Sequence, residues 1–313
     1  MSAKQTYTTQ AINLKSYPLK ESDKIVVMYS KDKGIIHAVA KGIKKPKSSL
    51  GARMETFIAN TLLLAKGRNM DIVSQAETLN SFNNTRKDLD KIFYSMYLTE
   101  VINNFGIEND PCAPEIFDIL YNALNKIANC ENKKEILLAV LKFQLKIMQV
   151  SGFAPEMTTC LKCGCKINEN AYFLINEGGI ICENCLSDTR GKLSIHAKIL
   201  EFLNYLTNAD FEAITDFEKK ATEKVCDVCF NLLKKCIELH SSRKIKTTEI
   251  LAAIWFRAYI FHINLAVLLL YVLNFLVSEI LQLIYDYHLT KPQVLPIHGK
   301  HEVLYNEDIQ SNH

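Results

Sequence analysis

The first quarter of the chain consists of short segments in which apolar and polar residues alternate, a spacing typical of β-strands. Gly-containing runs at 31–34 and 66–69 are typical of hairpin loops. The pattern predicts five strands, at 10–15, 25–30, 34–41, 56–65 and 70–78. Five short strands with a longer connection between the third and the fourth predict a small closed or partly open barrel. An SH3-like barrel fits the same pattern.

After residue 83 the apolar positions recur about every 3.6 residues, which predicts amphipathic helices. Apolar stripes run through 89–101, 116–127, 136–148, 199–206 and 225–237. Thr215 and Glu218 stand at capping-box spacing ahead of the last stripe. We expect these helices to form a bundle with the stripes as its core. The cysteine-rich residues 152–191 interrupt the pattern, which predicts an insertion between bundle helices.

Two Cys-x-x-Cys pairs in this insertion carry the clearest chemical signal. Each pair places two thiolates on one tight turn, and two such turns complete the tetrahedron that zinc prefers. Four thiolates leave no open position for water, so the spacing predicts one structural Zn²⁺ ion. The predicted ligands are Cys160, Cys163, Cys182 and Cys185.

Other cysteines leave narrower alternatives. Cys165 can replace Cys163 as a ligand, although Gly164 favours Cys163 because knuckle turns use glycine where the backbone curls. Cys226 and Cys229 repeat the spacing on a helical pattern, which favours core thiols.

The N-terminus shows no apolar signal region, so we expect a cytoplasmic protein with thiols or metal ligands instead of disulfides.

Positive charge is concentrated at the start of the chain. Residues 1–75 hold 13 Lys and Arg against 5 Asp and Glu, whereas residues 76–251 hold 21 against 24. This asymmetry indicates a polyanionic partner, although a solvated lysine-rich surface would look the same. Lysines on barrel loops neutralise phosphates without reading sequence, so any binding should be salt-sensitive. The predicted nucleic-acid contacts are Lys41, Lys44, Lys45, Lys47, Arg53, Lys66 and Arg68.

Stacking platforms and catalytic motifs give weaker signals. Tyr7, Tyr29 and Phe57 are possible platforms for bases, but aromatic residues in strands belong more often to a core. The sequence lacks the phosphate-binding, dinucleotide-binding, zinc-protease and serine-hydrolase motifs. We therefore expect a protein that is not an enzyme. A metal-dependent nuclease would need an open metal site, which four thiolates deny.

The order of these parts resembles the bacterial RecO family of recombination mediators. The matching text is QAINLK at 10–15, LKESDK at 19–24, GIIHAVAKGIKKPKS at 34–48, GFAP at 152–155, both cysteine pairs, the glycines at 178–179 and RKIKT at 243–247. The resemblance implies an α+β protein: a five-stranded OB-fold barrel at 1–80, then a helical domain at 81–251 with its zinc element at 152–191.

The resemblance also implies a function in DNA repair and recombination. Proteins of this family bind single- and double-stranded DNA, anneal complementary strands and, with RecR, load RecA onto DNA coated by single-stranded-DNA-binding protein. They have no catalytic residue. The alternative function is that of a zinc-ribbon adaptor, which binds proteins and makes no direct DNA contact. A steep loss of DNA binding with salt would favour the mediator.

Residues 252–313 form a non-family extension that the resemblance does not explain. It contains 21 consecutive uncharged residues, 258–278, long enough to cross a bilayer as a helix. A membrane anchor, an extra helix on the bundle and read-through past the natural end are alternatives. Charges beside the segment show no positive-inside pattern, so membrane anchoring is not favoured.

Overall fold

A computed structural model describes residues 5–249 except 168, 187–190, 213 and 242, so the apolar segment 258–278 lies outside the described residues. The strands of the N-terminal sheet are β1 (Thr6–Pro18), β2 (Lys24–Ser30), β3 (Gly34–Ala40), β4 (Ala59–Ala65) and β5 (Asp71–Asn80). They close into a barrel in the order β1-β2-β3-β5-β4. β3 and β5 pair in parallel, and the other neighbours pair antiparallel. This five-stranded barrel is the predicted one, and its order is that of an OB-fold.

β1 is longer than the sequence pattern predicts because it pairs with two different strands, one along each half of its length. Its first half pairs with β4, from Thr6 opposite Ala65, and its second half pairs with β2. A register irregularity between Asn13 and Lys15 lies where the strand passes from one partner to the other. A bulge of this kind bends a strand and increases its twist, which lets a five-stranded sheet close.

Side chains of the barrel belong to two buried clusters, one inside the barrel and one on its outer surface. Its interior holds a cluster that includes Ala11, Val26, Met28 and Leu62. The outer faces of β1 and β2 belong to a second cluster, which is shared with the helices and includes Ile12, Val27 and Tyr29. Strands that are buried on both faces carry almost continuous apolar residues, as β2 does.

Among the described residues, six α-helices follow the barrel: α1 (Leu89–Phe105), α2 (Ala113–Asn129), α3 (Lys133–Val150), α4 (Ala197–Asn208), α5 (Asp216–Lys220) and α6 (Glu223–His240). The side chains of Asp88, Asn132 and Thr222 cap α1, α3 and α6. The predicted capping box of Thr215 and Glu218 is present, but it begins the short α5, whereas α6 has its own cap. The stripes form the expected core, with three exceptions: Leu89, Met96 and Val228 are 64%, 42% and 49% exposed, so these stripe positions face solvent and the prediction was wrong for them.

Gly106 brings the C-terminal end of α1 against the barrel. A Cβ atom at this position would lie 2.9 Å from both Tyr29 Cε2 and Ile35 Cγ1. Tyr29 also donates a hydrogen bond from its hydroxyl to Asp110 Oδ2, at 2.9 Å. Close packing and a buried hydrogen bond therefore join β2 to the connection between α1 and α2.

The insertion between α3 and α4 has a small sheet of its own. Its strands are β6 (Ala171–Leu174), β7 (Gly179–Ile181) and β8 (Lys192–Ile195), in the order β7-β6-β8. Alternate residues of β6 face two different clusters. Ala171 and Phe173 belong to the helical core, whereas Leu174 packs in a small cluster with Cys160 and Ile181. The insertion that the interrupted helical pattern predicted is therefore confirmed.

No helix within the described part of the chain is both long enough and apolar enough to span a bilayer.

Asn13 fixes the loop between β3 and β4 to the barrel wall. This side chain is fully buried, and its Nδ2 donates to the carbonyl oxygens of Arg53 and Glu55, both at 2.8 Å. Asn60 Nδ2 also donates to the Arg53 carbonyl. The backbone of Asn13 also takes part. Its N–H donates to the Ile58 carbonyl, and its carbonyl accepts a hydrogen bond from the Phe57 N–H. The returning limb of the loop is therefore held by β1.

We expect Asn13→Leu to lower the free energy of unfolding by about 1–3 kcal/mol, because the carbonyl of Glu55 loses its buried donor while that of Arg53 keeps Asn60. Urea unfolding of the purified variant measures this change. Gln10→Leu, on an exposed position of the same strand, is the control and should stay within about 0.5 kcal/mol. Equal stability of the two variants would contradict this role of Asn13.

Candidate nucleic-acid interface and metal centre

The loop between β3 and β4 alternates buried anchors with exposed cations. Ile43, Leu50 and Met54 are at most 8% exposed and pack in the barrel interior. Because these anchors point inward, the polar residues between them face solvent. All five predicted cations of this loop are exposed, namely Lys41, Lys44, Lys45, Lys47 and Arg53.

The loop between β1 and β2 lies directly beside this loop. The amide of Lys44 donates to the carbonyl of Ser22 at 3.1 Å, and the amide of Gly42 donates to Asp23 Oδ1 at 2.7 Å. Lys44 Nζ lies 3.5 Å from the carbonyl oxygen of Lys20. These contacts bring Lys20, an exposed cation that sequence reasoning did not select, onto the same surface as Lys44.

Asp23 joins the two loops while it remains charged. The hydrogen bond from the Gly42 amide is the main reason why the pKa of this carboxyl is lowered, and the charges of Lys20 and Lys41 act in the same direction. We name the exposed surface formed by Lys20, Lys41, Lys44, Lys45, Lys47 and Arg53 the basic loop surface.

Lys66 and Arg68 occupy the hairpin between β4 and β5 and are also exposed. Arg68 lines a groove of about 240 Å³ together with Lys33, His37 and Tyr7. The groove therefore groups Arg68 with the start of β3 and the turn before it. Lys66 and Arg68 provide a second group of cations on the barrel.

The three candidate stacking residues differ in their exposure to solvent. Tyr29 and Phe57 are 0% and 6% exposed, so they belong to the core as the commoner interpretation predicted. Tyr7 is partly exposed, and the Lys33 ammonium lies 3.5 Å from its ring centroid. Its hydroxyl donates to Asp71 Oδ2. Tyr7 alone of the three can offer a ring to a ligand.

The four predicted metal ligands lie together. The Sγ atoms of Cys160, Cys163, Cys182 and Cys185 are all within 4.8 Å of one another. The Cys163 and Cys182 sulfurs are 3.8 Å apart, which equals the edge of about 3.8 Å that a tetrahedron with zinc–sulfur bonds of about 2.3 Å requires. The four-thiol donor set and its spacing therefore fit a closed metal site.

Two local structures hold these thiols in place. The first pair lies on a hairpin in which the Gly164 amide donates to the Cys160 carbonyl at 2.8 Å. Gly164 has a φ of +70°, in the left-handed region that glycine adopts without strain. The second pair begins and ends a short 3-10 turn, Glu183–Cys185, which follows β7 directly. The backbone of these two local structures therefore contributes to positioning both pairs.

Backbone amides favour the thiolate form of Cys160. Burial raises the pKa of this thiol, but the amides of Cys163, Cys182 and Lys162 outweigh burial and lower the pKa to about 6. The Cys182 amide approaches the Cys160 sulfur at 3.4 Å. In contrast, hydrogen bonds with the side chains of Cys163 and Cys182 raise the pKa of Cys185 to about 12. Four thiols this close cannot all ionise without a cation between them.

Cys165 lies at the edge of this site. Its sulfur is 3.3 Å from that of Cys163, yet it is not one of the four sulfurs that lie within 4.8 Å of one another. The hydrogen bond with Cys163 raises its pKa to about 12, which keeps this exposed thiol protonated. The geometry therefore favours Cys163 over Cys165 as the ligand, as the glycine after Cys163 predicted.

Cys226 and Cys229 lie inside α6 and are fully buried in the helical core. Burial raises the pKa values of these thiols to about 11 and 12. They are core residues, as the helical pattern predicted.

Family models of known proteins match the barrel and the helical region that follows it. A family model described as "Recombination protein O N terminal" matches residues 1–82, and one described as "Recombination protein O C terminal" matches residues 86–249.

Curated relatives named "DNA repair protein RecO" match across most of their own length. The relative from Desulforamulus reducens is 33% identical over 244 residues, which is 78% of this chain and 93% of the relative. The relative from Acetivibrio thermocellus is 30% identical over 219 residues, covering 70% and 85% of the two chains. The relative from Alkaliphilus metalliredigens is 30% identical over 237 residues, covering 75% and 94%. The expectation of a non-enzymatic protein agrees with these matches, and the chain belongs to the RecO family of DNA repair and recombination proteins.

Proposed function

We propose that this protein is a recombination mediator that binds single- and double-stranded DNA on the barrel and anneals complementary strands. The observation that carries the proposal is the basic loop surface: six exposed cations on two adjoining loops of a RecO-family barrel. The barrel places these cations on loops that buried anchors hold in position, so they can meet phosphates with little loss of loop entropy.

Annealing follows from the chemistry of this surface. Lysine ammonium groups neutralise phosphates and release condensed counterions, which reduces the repulsion between two strands. When these cations contact phosphates, the base edges stay uncovered, so the bases remain free to pair. Tyr7 can stack on a base beside Lys33 and Arg68, which would extend the contact along the barrel.

Membership of the RecO family supports a proposal about further partners. We propose that the protein works with RecR to load RecA onto DNA that is coated by single-stranded-DNA-binding protein, in the cytoplasm at the nucleoid. The relatives are named DNA repair protein RecO, which is consistent with this function.

We also propose that the four-cysteine site holds one Zn²⁺ ion with a structural function. Four thiolates occupy every position of a tetrahedral zinc site, so no position is left for a water nucleophile. The site instead links the hairpin of the first pair to the turn that follows β7. Zinc would therefore stabilise the inserted sheet against the helical core, and the DNA contacts would lie on the barrel.

Charge reversal tests the basic loop surface. We expect Lys44→Glu combined with Lys45→Glu to weaken single-stranded DNA binding at least roughly tenfold at low salt, because phosphate contacts are lost and repulsion is added. Fluorescence anisotropy with a labelled oligonucleotide measures the dissociation constant across a salt series. The unaltered protein should show a steep salt dependence.

Lys220→Glu combined with Lys224→Glu is the matched control. These lysines are exposed near α5 and α6, away from the barrel loops, and form no ion pair with a described acidic residue. The control should bind DNA as the unaltered protein does. Equal affinities for both double variants would refute the proposed interface and favour the adaptor function.

Removing one ligand tests the metal site. We expect Cys182→Ser to reduce the metal-to-protein ratio and to lower the thermal midpoint by roughly 5–10 °C, because the inserted sheet loses its cross-link. Mass spectrometry of metals in the purified protein measures the first effect, and calorimetry measures the second. Cys165→Ser is the control and should keep its zinc. If both variants lose the metal equally, the ligand set is wrong.

A further inference from the structure

A second basic groove lies between the barrel, α1 and the segment after α6. The groove has a volume of about 510 Å³. Lys15 of β1 and Thr56 line its barrel side, and the opposite wall carries Arg243, Lys244 and Lys246. The four cations are exposed, and none forms an ion pair with an acidic residue in the described part of the chain.

The segment that carries three of these cations is firmly attached to α1. Its side chains alternate between solvent and core: Ile245 and Thr247 are 1% and 6% exposed, whereas Lys246 between them is exposed. Glu100 accepts hydrogen bonds from the amides of Lys246 and Thr247, both at 2.8 Å, and from the Thr247 hydroxyl. The cations are therefore presented on an ordered backbone.

Glu100 is the acidic residue that lines this groove, so the lining holds four positive charges against one negative charge. The carboxylate of Glu100 is directed to the backbone of 246–247 and not to the lysine side chains. The remaining lining is mostly uncharged and polar, with Thr99, Asn103 and Asn104 from α1. Such a surface suits phosphate and sugar oxygens.

The chemistry of the lining favours DNA over a protein partner. A protein interface has an apolar centre, whereas Met96, at 42% exposed, is the main accessible apolar side chain here. The groove also adjoins the basic loop surface, because Thr56 belongs to the loop that carries Arg53. A polyanion bound on the basic loop surface therefore has a second positively charged surface beside it.

We propose that this groove holds the phosphate backbone of a second DNA strand while the first strand lies on the basic loop surface. The inference rests on the proposed function, since annealing needs two strands on one protein. Two neighbouring cationic surfaces with different linings allow both strands to bind without pairing first. The groove thus raises the local concentration of one strand beside the other.

The test counts strands on the full-length protein. Native mass spectrometry with a short oligothymidylate, which cannot pair with itself, should show two strands on one unaltered chain. The groove variant combines Arg243→Gln, Lys244→Gln and Lys246→Gln. Glutamine removes three positive charges without adding negative charge beside Glu100. We expect this variant to lose the two-strand complex at least roughly tenfold and to keep its single-strand dissociation constant within about twofold.

Lys198→Gln, Lys220→Gln and Lys224→Gln together form the matched control, since these exposed lysines lie outside the groove. Thermal unfolding verifies that both triple variants are folded, and annealing of complementary strands should slow only in the groove variant. A groove variant that still carries two strands, or an unaltered protein that never carries more than one, overturns the inference.

The proposed function fails differently. It fails if the unaltered protein binds no DNA, or if reversing the charges of Lys44 and Lys45 leaves single-strand binding unchanged. If those lysines prove essential and the groove variant behaves as the control does, the groove alone is refuted, and an acidic protein partner becomes its next candidate.

Discussion

Burial of the outer faces of β1 and β2 against the helices is the constraint on which the arrangement of the whole described unit depends. Ile12, Val27 and Tyr29 share one cluster with the helical core, so the barrel and the bundle are packed as one body. Because this face is occupied, the proposed DNA ligand would have to reach the barrel at its loops and at its remaining strands. The two basic surfaces are therefore placed by the packing that joins the barrel to the helices.

Much of the fold follows from local patterns. The alternation in the first 80 residues predicted five strands, and the period of about 3.6 predicted the helices, because each pattern reflects burial of one face. The exact course of β1 was less predictable: its extra length depends on pairing with β4, more than 40 residues away in sequence. The capping box likewise predicted a helix start but could not show that α5 would end after five residues.

The four-cysteine cluster was more predictable than the proposed DNA surfaces. Cysteine spacing alone predicts which thiols come together, since two Cys-x-x-Cys pairs satisfy the same local geometry in any fold. The basic surfaces depend on distant contacts. Lys20 lies beside Lys44 only because two loops bond to each other, and Lys15 and Arg243 line one groove only because α1 holds the segment after α6. No short-range pattern in the sequence contains this information.

Asp23 has a consequence for any attempt to engineer this protein. A carboxylate within a cationic surface looks like an obvious position to neutralise when tighter DNA binding is wanted. Here, however, the carboxylate accepts a hydrogen bond from the amide of Gly42, one of two bonds, with that between the Lys44 amide and the Ser22 carbonyl, that hold the two loops side by side. Removing the acid would make the net charge more positive and would also weaken the link that places Lys20 beside Lys44. Higher affinity is therefore better sought at positions that leave this bond intact.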